Sequence, residues 1–478
     1  MATLSCAQPT PRGALYLLRM PEDATLERRS DSLIPERTGP EHRTALVVAW
    51  SRRDGARLGE LAWVTPGETW ILGRPGGRVG PRLQLVRQRP SGEEPGGPIA
   101  SPYVSREQLR VRIANTGVLQ VHNVGRVALR INGVACEAAP AYPGDVIELD
   151  GELILLVQHR PIVLPRADVV VPFGDPDPSG LVGEGPAMWA LRRRVLFIAQ
   201  QQGHVLITGP SGAGKELVAR ALHDASPRRT GPLITCNVAA IPDGVAEAEW
   251  FGNRRDYPNP GMPARLGLAG EANGGTLLLD EIGELPHSQQ AHLLRLLDTG
   301  EVQRLGDPRP SRVDLRIIGA TNRDPSTLKE DLRARFPHRL RLPGLGARTE
   351  DIPLLIRHLL TDLEGGRWVR DGVPRITPRL ATDLLRHRWS THVRELTATL
   401  WAAAAEASRD WLDRHPGLSL DTPPPGELRP QVEPDEISPE AILAALAETD
   451  GVKTRAAKQL GLNSRHQLRR LMKKHGMI

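Results

Sequence analysis

The stretch VLITGPSGAGKE, residues 205–216, decides the fold of the middle of the chain. The apolar run VLIT leads into the pattern GxxxxGK at the start of a helical segment. Such a loop closes its backbone N–H groups around phosphates, helped by the helix N-terminus, and its lysine reaches the terminal phosphates. A glycine-rich turn with a chance lysine is the alternative, which the flanking strand and helix disfavour. The predicted nucleotide-binding residues are Gly209, Pro210, Ser211, Gly212, Ala213, Gly214, Lys215 and Glu216.

The stretch GGTLLLDE, residues 274–281, places two acids at the end of a buried type of strand. Asp280 is predicted to hold Mg²⁺, directly or through water, and Glu281 to polarise the attacking water. An apolar run that ends in Asp-Glu is common by itself, but its combination with a phosphate loop indicates an ATPase with ATP and Mg²⁺ as cofactors. Strands and helices alternate from about 181 to 345, which predicts an α/β core with a parallel sheet.

The regions on either side of this core have a different texture. From about 45 to 160, short β-rich runs such as ALVVAW are separated by turn signals, which predicts an all-β sandwich with a long loop at 89–102. After about 346 the apolar runs are helical only, which is typical of a small α-helical lid. The predicted domains are a poorly ordered extension 1–44, a β-sandwich 45–160, a linker 161–180, an ATPase core 181–345, a lid 346–412, a proline-rich linker 413–436 and a small helical domain 437–478.

Length and composition exclude several classes of protein. The 478 residues are too many for one core. Three distant cysteines without a CxxC pair indicate neither a disulfide framework nor a zinc site. No window approaches the roughly 18 apolar residues of a membrane span. We therefore predict a cytoplasmic protein without a membrane partner. The net charge of +6 is modest, and its excess lies at the C-terminal end.

Four stretches in order, GPSGAGKELVARALH, GGTLLLDEIGELP, LRIIGATNRD and HVREL, resemble the AAA+ activators of the sigma-54 form of bacterial RNA polymerase. The resemblance covers about residues 181–412. It implies that Asn322 is the first sensor, which reports the γ-phosphate, and that Arg394 is the second sensor. It also implies that Asn237 holds Glu281 inactive until ATP is read.

The stretch LKEDLRARF, residues 328–336, matches the segment with which this family supplies arginines to a neighbouring subunit's site. Arg335 fits the more important finger position, and Lys329 stands where the family usually has the other arginine. Lysine keeps the charge but loses the forked geometry. A finger supplied in trans implies a homo-oligomeric ring, commonly a hexamer. For the other arginines between 333 and 341, a merely solvated basic face is an open alternative.

The C-terminal stretch VKTRAAKQLGLNSRHQLRRLMKKHG, residues 452–476, has the pattern of a helix-turn-helix. Apolar residues at helical spacing lie on both sides of Gly461, which breaks the first helix. The stretch resembles the Fis-like DNA-binding domain that ends members of this family, with an enhancer-like DNA site as the partner. A basic helical hairpin without a DNA role is the alternative. The residues predicted to contact bases or phosphates are Arg465, His466, Gln467, Arg469, Arg470, Lys473 and Lys474.

In the N-terminal β region, ILGR (71–74) and VSREQL (104–109) resemble the first two signature loops of a forkhead-associated (FHA) domain, a phosphothreonine reader. Gln108 replaces the usual structural histidine, and GRVALRING (125–133) lacks the usual Asn-Gly-Thr. Two hypotheses stay open: the domain binds a phosphothreonine protein, or it is degenerate and serves self-association or another partner. The implied phosphate-binding residues, which would donate charge-assisted hydrogen bonds, are Arg74, Ser105 and Arg106.

The stretch DYPNPG falls where this family carries the loop that contacts sigma-54, usually GAFTGA. Proline fixes φ, removes N–H donors and restricts the residue before it, so Tyr257 and Asn259 are confined to extended or turn geometry. The family's Phe and Thr are absent, and Tyr257 is an aromatic residue one position away. The residues at the contact position are Asp256, Tyr257, Pro258, Asn259, Pro260 and Gly261.

These observations support two hypotheses about function. In the first, a ring assembled on DNA hydrolyses ATP to remodel the sigma-54 RNA polymerase holoenzyme, gated by the FHA-like domain. In the second, a phosphosignal-gated DNA-binding regulator uses ATP for assembly and does not engage sigma-54. The nearly complete catalytic set disfavours a simple pseudoenzyme. The predicted fold class is multidomain: an all-β FHA-like sandwich, an α/β AAA+ P-loop domain with an α-helical lid, and a small helix-turn-helix domain.

Overall fold

Apolar runs form the strands at the centre of the N-terminal β region. The computed structural model describes residues 41–76, 80–99, 101–407, 410–414, 439–448, 452, 453, 456, 457, 460, 462, 465–475 and 477. The predicted extension at 1–44 lies outside this description up to residue 40. The strands of the β region are β1 His42–Ser51, β2 Leu61–Val64, β3 Trp70–Leu72, β4 Val86–Arg89, β5 Gly92–Pro95, β6 Leu109–Ile113, β7 Leu119–Asn123, β8 Leu129–Ile131, β9 Val134–Cys136, β10 Ala138–Ala141, β11 Val146–Leu149 and β12 Leu153–Pro161.

These strands form two antiparallel sheets that share one hydrophobic cluster. The larger sheet has the order β5-β4-β2-β1-β12-β11-β8-β9, and the smaller has the order β10-β7-β6-β3. Leu46 and Val48 of β1 pack in the same cluster as Val111 and Val121 of the smaller sheet. Alternate residues of a strand point to opposite faces, so β1 presents its other residues on the far side of the larger sheet.

The prediction of a long loop at 89–102 is wrong in its first half. Strands β4 and β5 pair as a hairpin, with Arg87 opposite Glu94, and the Trp63 indole N–H donates to Glu93 Oε1 at 2.6 Å. This hydrogen bond ties β5 to Trp63 of β2, two strands away in the sheet, although the glycines and prolines of 89–102 suggest a loop. Strand β1 also begins at His42, a little before the predicted boundary of 45.

The middle of the chain is a parallel sheet with helices around it, which confirms the predicted α/β P-loop core. The sheet order is β14-β15-β18-β13-β19, and each neighbouring pair is parallel. The strands are β13 Val205–Thr208, β14 Leu233–Asn237, β15 Thr276–Asp280, β16 Glu301–Val302, β17 Ser311–Arg312, β18 Arg316–Thr321 and β19 His338–Arg341. The helices are α1 Pro186–Ala199, α2 Lys215–Asp224, α3 Ala246–Phe251, α4 Gly267–Glu271, α5 His287–Thr299 and α6 Glu330–Ala334.

A helical subdomain, residues 345–407 and 410–414, follows the sheet. It contains helices α7 Ile352–Asp362, α8 Pro378–Arg386 and α9 His392–Ala405. The prediction that this region is helical only is wrong at one place, where the two-residue strands β20 Val369–Arg370 and β21 Val373–Pro374 pair. Within the described residues, the 3₁₀ helices are Gly55–Arg57, Val238–Ala240, Asp243–Val245, Ile282–Glu284, Pro325–Thr327, Leu345–Asp351 and Leu363–Gly366.

The larger β sheet packs its second face against this helical subdomain. Ala49 and Trp50 both face the subdomain because a β-bulge interrupts the alternation between Val48 and Trp50. They share one continuous buried cluster with residues such as Leu354 of α7 and Leu384 of α8. Both faces of the larger sheet are therefore covered, which explains why its central strands are apolar at consecutive positions.

Polar contacts accompany this shared core. Arg160 Nη1 at the end of β12 donates to Glu350 Oε2 at 2.5 Å, and both side chains are largely buried. Arg386 Nη1 of α8 donates to the carbonyl oxygen of Asn132 at 3.2 Å, in the β8–β9 turn. Buried ionic groups need such partners, because an unpaired charge in an apolar interface is costly. The β region and the helical subdomain thus form one packed body.

The described C-terminal residues form a small separate cluster. Helices α10 Pro439–Glu448 and α11 Arg465–Lys474 contribute Ile442, Leu468 and Leu471, which pack with Ala456. Of the apolar residues predicted to face inward on either side of Gly461, Ala456, Ala457, Leu468 and Leu471 are buried and Leu460 is half-buried. Among the residues that the structure describes, no helix has the length and apolar character to span a membrane.

We expect Trp50→Ala to lower the free energy of unfolding by about 3–5 kcal/mol, because it removes a large side chain that is only 2% exposed and leaves a cavity. Trp401→Ala is the matched control, since that side chain is 61% exposed and its loss changes stability by about 0.5 kcal/mol or less. Chemical denaturation followed by far-UV circular dichroism measures both variants. Equal denaturation midpoints would contradict a core shared by the sheet and the helices.

Candidate functional site

The phosphate loop connects β13 to α2, as its sequence predicts. Gly212 and Gly214 adopt positive φ values of 73° and 105°, which are favourable only for glycine. Lys215, the first residue of α2, is 7% exposed, and its Nζ lies 3.3 Å from the carbonyl oxygen of Gly209 and 3.4 Å from that of Pro210. The ammonium group therefore lies inside the loop, where a bound phosphate would accept a hydrogen bond from it.

The helical subdomain contacts this loop directly through the start of α9. The backbone N–H groups of Val393 and Arg394 donate to the Gly212 carbonyl oxygen at 3.1 and 3.3 Å. Arg394 Nη1 also donates to Ser211 Oγ at 3.2 Å. A Cβ atom at Gly212 would lie 2.2 Å from the carbonyl oxygen of Thr391, so the close approach requires glycine. The structure thus brings the predicted second sensor to the phosphate loop.

Glu395 fixes the turn that carries this contact. It accepts hydrogen bonds from the backbone N–H groups of Ser390 and Thr391 at 2.7 and 2.8 Å and pairs with His387 Nε2 at 2.7 Å. Burial raises the pKa of the Glu395 carboxyl, but the hydrogen bonds from His387, Thr391 and Ser390 outweigh burial and lower the pKa to about 2. Glu395 is therefore ionised at neutral pH, and its charge holds the turn against the loop.

Four predicted residues meet at the carboxyl edge of the parallel sheet. Asn237 ends β14 and pairs in register with Asp280 at the end of β15, while Asn322 directly follows β18. Parallel strands bring their carboxyl ends to one edge, which is where ligands bind in α/β folds. Glu281 also lies there, with a positive φ of 55°, and its N–H donates to Asp280 Oδ1 at 3.0 Å.

The side chains at the carboxyl edge of the sheet have only some of their hydrogen bonds made within the described residues. Glu281 Oε2 is buried and has no hydrogen-bond partner among the described residues. A buried carboxylate oxygen without a partner is costly and is typical of functional sites. Asn237 Oδ1 accepts the N–H of Ala239 at 3.0 Å, so it caps the short helix that follows β14.

Arg335 lies at the opposite edge of the same sheet. It follows α6 and precedes β19, whose first residue, His338, is paired with Val205 at the start of β13. The phosphate loop begins only after β13 ends at Thr208, so roughly 13 Å of strand separates the two. Arg335 instead pairs with Asp298 of α5 through two contacts, Nε with Oδ1 and Nη2 with Oδ2, the latter at 3.2 Å.

Comparison with known proteins agrees with this geometry. The family model described as Sigma-54 interaction domain matches residues 181–344, and that of Bacterial regulatory protein, Fis family, matches 434–475. The transcriptional regulatory protein ZraR of Salmonella typhimurium is 38% identical over 309 residues, which cover 61% of this chain and 68% of that protein. The regulator NtrC of a Bradyrhizobium species is 36% identical over 368 residues, covering 67% and 74%. This chain belongs to the sigma-54-dependent transcriptional regulators.

The central domain of this regulator is therefore an AAA+ P-loop ATPase. Among solved structures, NtrX from Brucella abortus, crystallised in complex with ATP, is 31% identical, with a TM-score of 0.43 over 62% of this chain and 69% of that chain. The family models cover the central and C-terminal parts of the regulator, and its N-terminal part is a β-sheet region.

The predicted sigma-contact loop of the regulator is exposed to solvent and is anchored to its own domain at two points. Asn253 is 4% exposed, and its side-chain amide donates to the carbonyl oxygens of Arg254, Tyr257 and Pro263 at 2.9, 3.2 and 3.0 Å. The ring of Tyr257 lies over Gly306, where a Cβ atom would be 2.6 Å from it. The loop is therefore a compact turn that Asn253 anchors at its base and Tyr257 anchors at its aromatic ring.

A second anchor lies within the same loop. The Gly261 N–H donates to Asp256 Oδ1 at 2.7 Å, and the Asp256 N–H donates to the Met262 carbonyl oxygen at 2.9 Å. Asp256 has a positive φ of 62°, which aspartate tolerates better than most residues. The six predicted contact positions, 256–261, thus form one closed turn.

The β region of the regulator brings its predicted phosphate-binding residues together. The Arg74 N–H donates to the Ser105 carbonyl oxygen at 3.1 Å. Arg82 Nη2 joins both loops, since it donates to the carbonyl oxygens of Arg74 at 2.7 Å and Arg106 at 2.6 Å. Arg74 Nε is buried without a partner among the described residues. The Arg82 guanidinium therefore holds the backbones of the two predicted phosphate-binding loops together at one end of the β region.

Gln108, which stands where the FHA family usually has a structural histidine, hydrogen-bonds segments on both sides of it. It is fully buried, and its Oε1 accepts the Ser105 N–H at 3.1 Å. Its Nε2 donates to Asn123 Oδ1 and to the Val127 carbonyl oxygen, both at 2.8 Å. A primary amide has both donor and acceptor groups. It can therefore join Ser105 to the segment 123–127, as a neutral imidazole could.

The helix α11 presents part of its predicted DNA face to solvent. Arg469, Arg470 and Lys473 are exposed, whereas Leu468 and Leu471 are buried. The side chains of Arg465, His466, Gln467 and Lys474 lie outside the described part of the chain. The exposed basic side chains are consistent with the Fis-type match.

Sequence reasoning missed several residues that shape these sites. Each of three such residues makes several hydrogen bonds. Arg82 joins loops that are distant along the chain, whereas Asn253 and Glu395 each hold a tight turn. Asn253 and Arg82 belong to no short motif with a known spacing, so no local signal distinguishes them from surface polar residues. Glu395 lies within the HVREL stretch, which could have pointed to it.

Proposed function

We propose that the regulator hydrolyses ATP in an oligomeric ring and uses this energy to remodel the sigma-54 RNA polymerase holoenzyme on DNA. The contact of Arg394 with the phosphate loop, together with the position of Arg335 at the far edge of the sheet, carries the proposal. Each subunit then has a phosphate loop in contact with its own Arg394, but its nucleotide site requires the Arg335 of another subunit. A neighbouring copy supplies it, which links hydrolysis to ring assembly.

Within the nucleotide site, we assign one role to each residue. The phosphate-loop N–H groups and Lys215 bind the phosphates, and Arg394 reports the bound nucleotide to the helical subdomain. Glu281 orients and polarises the attacking water, while Asn322 contacts the γ-phosphate. Asn237, next to Asp280 in register, restrains Glu281 until ATP is bound.

Magnesium fits the carboxylates of this edge. One oxygen of Asp280 is used by the Glu281 N–H, and Mg²⁺ is held in nucleotide sites by one or two carboxylates together with phosphate oxygens. The buried Glu281 Oε2 without a partner among the described residues adds an oxygen that favours a polar ligand nearby. When bound, the ion neutralises charge that develops on the phosphates. We assign Asp280 as its holder.

The compact turn at 256–261 favours a second candidate function. Its residues are exposed, but Tyr257 lies over Gly306 and Asn253 holds the base, so the turn is fixed to its own domain. In the second candidate, ATP binding drives assembly on DNA and the loop is a fixed surface for another partner or for none. The candidates differ in whether hydrolysis opens promoter DNA.

We further propose that the β region responds to a phosphothreonine protein and that the exposed face of α11 binds DNA. Arg74, Ser105 and Arg106 lie on two loops that Arg82 joins, and arginine side chains with a hydroxyl group suit a doubly charged phosphate. A bound phosphopeptide could influence the ATPase because the same β region shares its core with the helical subdomain. Self-association through a degenerate site is the alternative.

Glu281→Ala and Arg335→Ala are each expected to reduce ATP turnover by on the order of 10³-fold, because the first removes water activation and the second removes charge stabilisation. Mixing the two inactive variants should restore part of the activity, since a Glu281→Ala subunit can supply Arg335 to an Arg335→Ala neighbour with an intact Glu281. Steady-state phosphate release measures this. Mixtures that stay inactive would contradict a finger in trans.

ATP-dependent open-complex formation with sigma-54 polymerase on a cognate promoter separates the two candidate functions. Under the first, permanganate footprinting detects melted DNA, and Tyr257→Ala lowers it while ATP turnover stays within about twofold. Tyr103→Ala, which changes another exposed tyrosine in the β region, is the control. Hydrolysis without melting by the unmodified chain would favour the second candidate.

A fluorescent phosphothreonine peptide library should bind the full chain, and Arg74→Ala should weaken binding by about tenfold or more, because a charge-assisted contact is lost. Arg112→Ala is the matched control, since this exposed arginine lies on β6, outside the two loops that carry Arg74, Ser105 and Arg106. Fluorescence anisotropy measures the affinities. Binding that is absent, or equal with unphosphorylated peptides, would favour the degenerate domain.

A further inference from the structure

The pair formed by Arg335 and Asp298 has a geometry that leaves the guanidinium usable. The carboxylate engages Nε and Nη2, one side of the planar fork, which leaves Nη1 on the other side. The Arg335 and Asp298 side chains are 47% and 37% exposed, so the pair lies at the surface. Side-on pairing fixes the plane of a guanidinium without using all of its five N–H groups.

Both members of the pair are attached to rigid parts of the core. Leu332 and Phe336 flank Arg335 along the chain, and both are almost fully buried. Leu297, the residue before Asp298, is also buried on α5. The two backbone segments are therefore held in place by packing, so the remaining freedom belongs to the side chains.

His204 connects these two segments. The Ile317 N–H donates to His204 Nδ1 at 3.0 Å, so the proton of the neutral ring is on Nε2, which contacts the Leu297 carbonyl oxygen at 3.2 Å. Burial lowers the pKa of His204, which keeps the ring neutral at pH 7. The same ring packs edge-on against Phe336 at 6.3 Å between centroids. His204 thus contacts Leu297, the residue before Asp298, and Phe336, the residue after Arg335.

We propose that Asp298 is a positioning residue for the arginine finger, and that its carboxylate holds Arg335 in the orientation in which the guanidinium reaches the nucleotide of the adjacent subunit. This inference rests on the proposed trans finger. A long arginine side chain otherwise samples many rotamers, and ordering it in advance removes that entropy cost from the transition state.

The test compares ATPase kinetics of the full chain at protein concentrations where turnover per subunit no longer rises, so that assembly is complete. Asp298→Ala should lower kcat by about tenfold and leave KM for ATP within about twofold, because the finger acts in the transition state. Asp298→Glu should recover part of the loss, since it restores the carboxylate. Asp314→Ala is the control, because its exposed carboxylate pairs with Arg228 away from the finger, and it should leave both constants unchanged.

Thermal melting of the same variants shows whether each is folded, and Asp298→Asn serves as a near-isosteric variant that should lose kcat like Asp298→Ala. An unchanged or raised kcat in Asp298→Ala, with Arg335→Ala inactive, would overturn the positioning role and leave the trans finger standing. A raised kcat would mean that Asp298 withholds the finger. Full turnover by Arg335→Ala would overturn both the finger and its positioning.

Discussion

Burial of both faces of the larger β sheet is the constraint on which the rest of the molecule depends. A sheet with two apolar faces has to be covered twice, once by the smaller sheet and once by helices α7 and α8. The bulge after Val48 turns Trp50 to the helical side, and Trp50 becomes part of the helical core. The β region consequently shares a core with the subdomain that lies over the phosphate loop.

This arrangement gives a continuous physical connection from the β region to the nucleotide site. Arg160 pairs with Glu350, and the next residue, Asp351, accepts the N–H groups of Glu184 and Gly185 ahead of α1. From the helical subdomain, the start of α9 then contacts Gly212 in the phosphate loop. A change at the β region would act on the site through packed elements with defined hydrogen bonds.

The parallel sheet divides the proposed catalytic residues between two edges. Asp280, Glu281 and Asn322 lie at or directly after the ends of strands at the carboxyl edge, and their positions could be predicted from motif and strand order alone. Arg335 precedes a strand and lies at the other edge, and Asp298 reaches it from α5. The pairing with Asp298 could not be predicted, because the two residues come from separate helices and no short motif connects them.

The sequence by itself determined the elements whose causes are local: the phosphate loop with its glycines, the acids after β15, the α/β alternation, the turn that contains Pro258 and Pro260, and the inward positions of the helix-turn-helix. Contacts between distant segments were decided only by the tertiary structure. Packing of the β region on the helical subdomain, the hairpin β4–β5, and the bridging roles of Gln108 and Asn253 all depend on which surfaces meet. Hydrophobic burial and hydrogen-bond satisfaction are properties of the assembled fold, so they leave no fixed spacing along the chain.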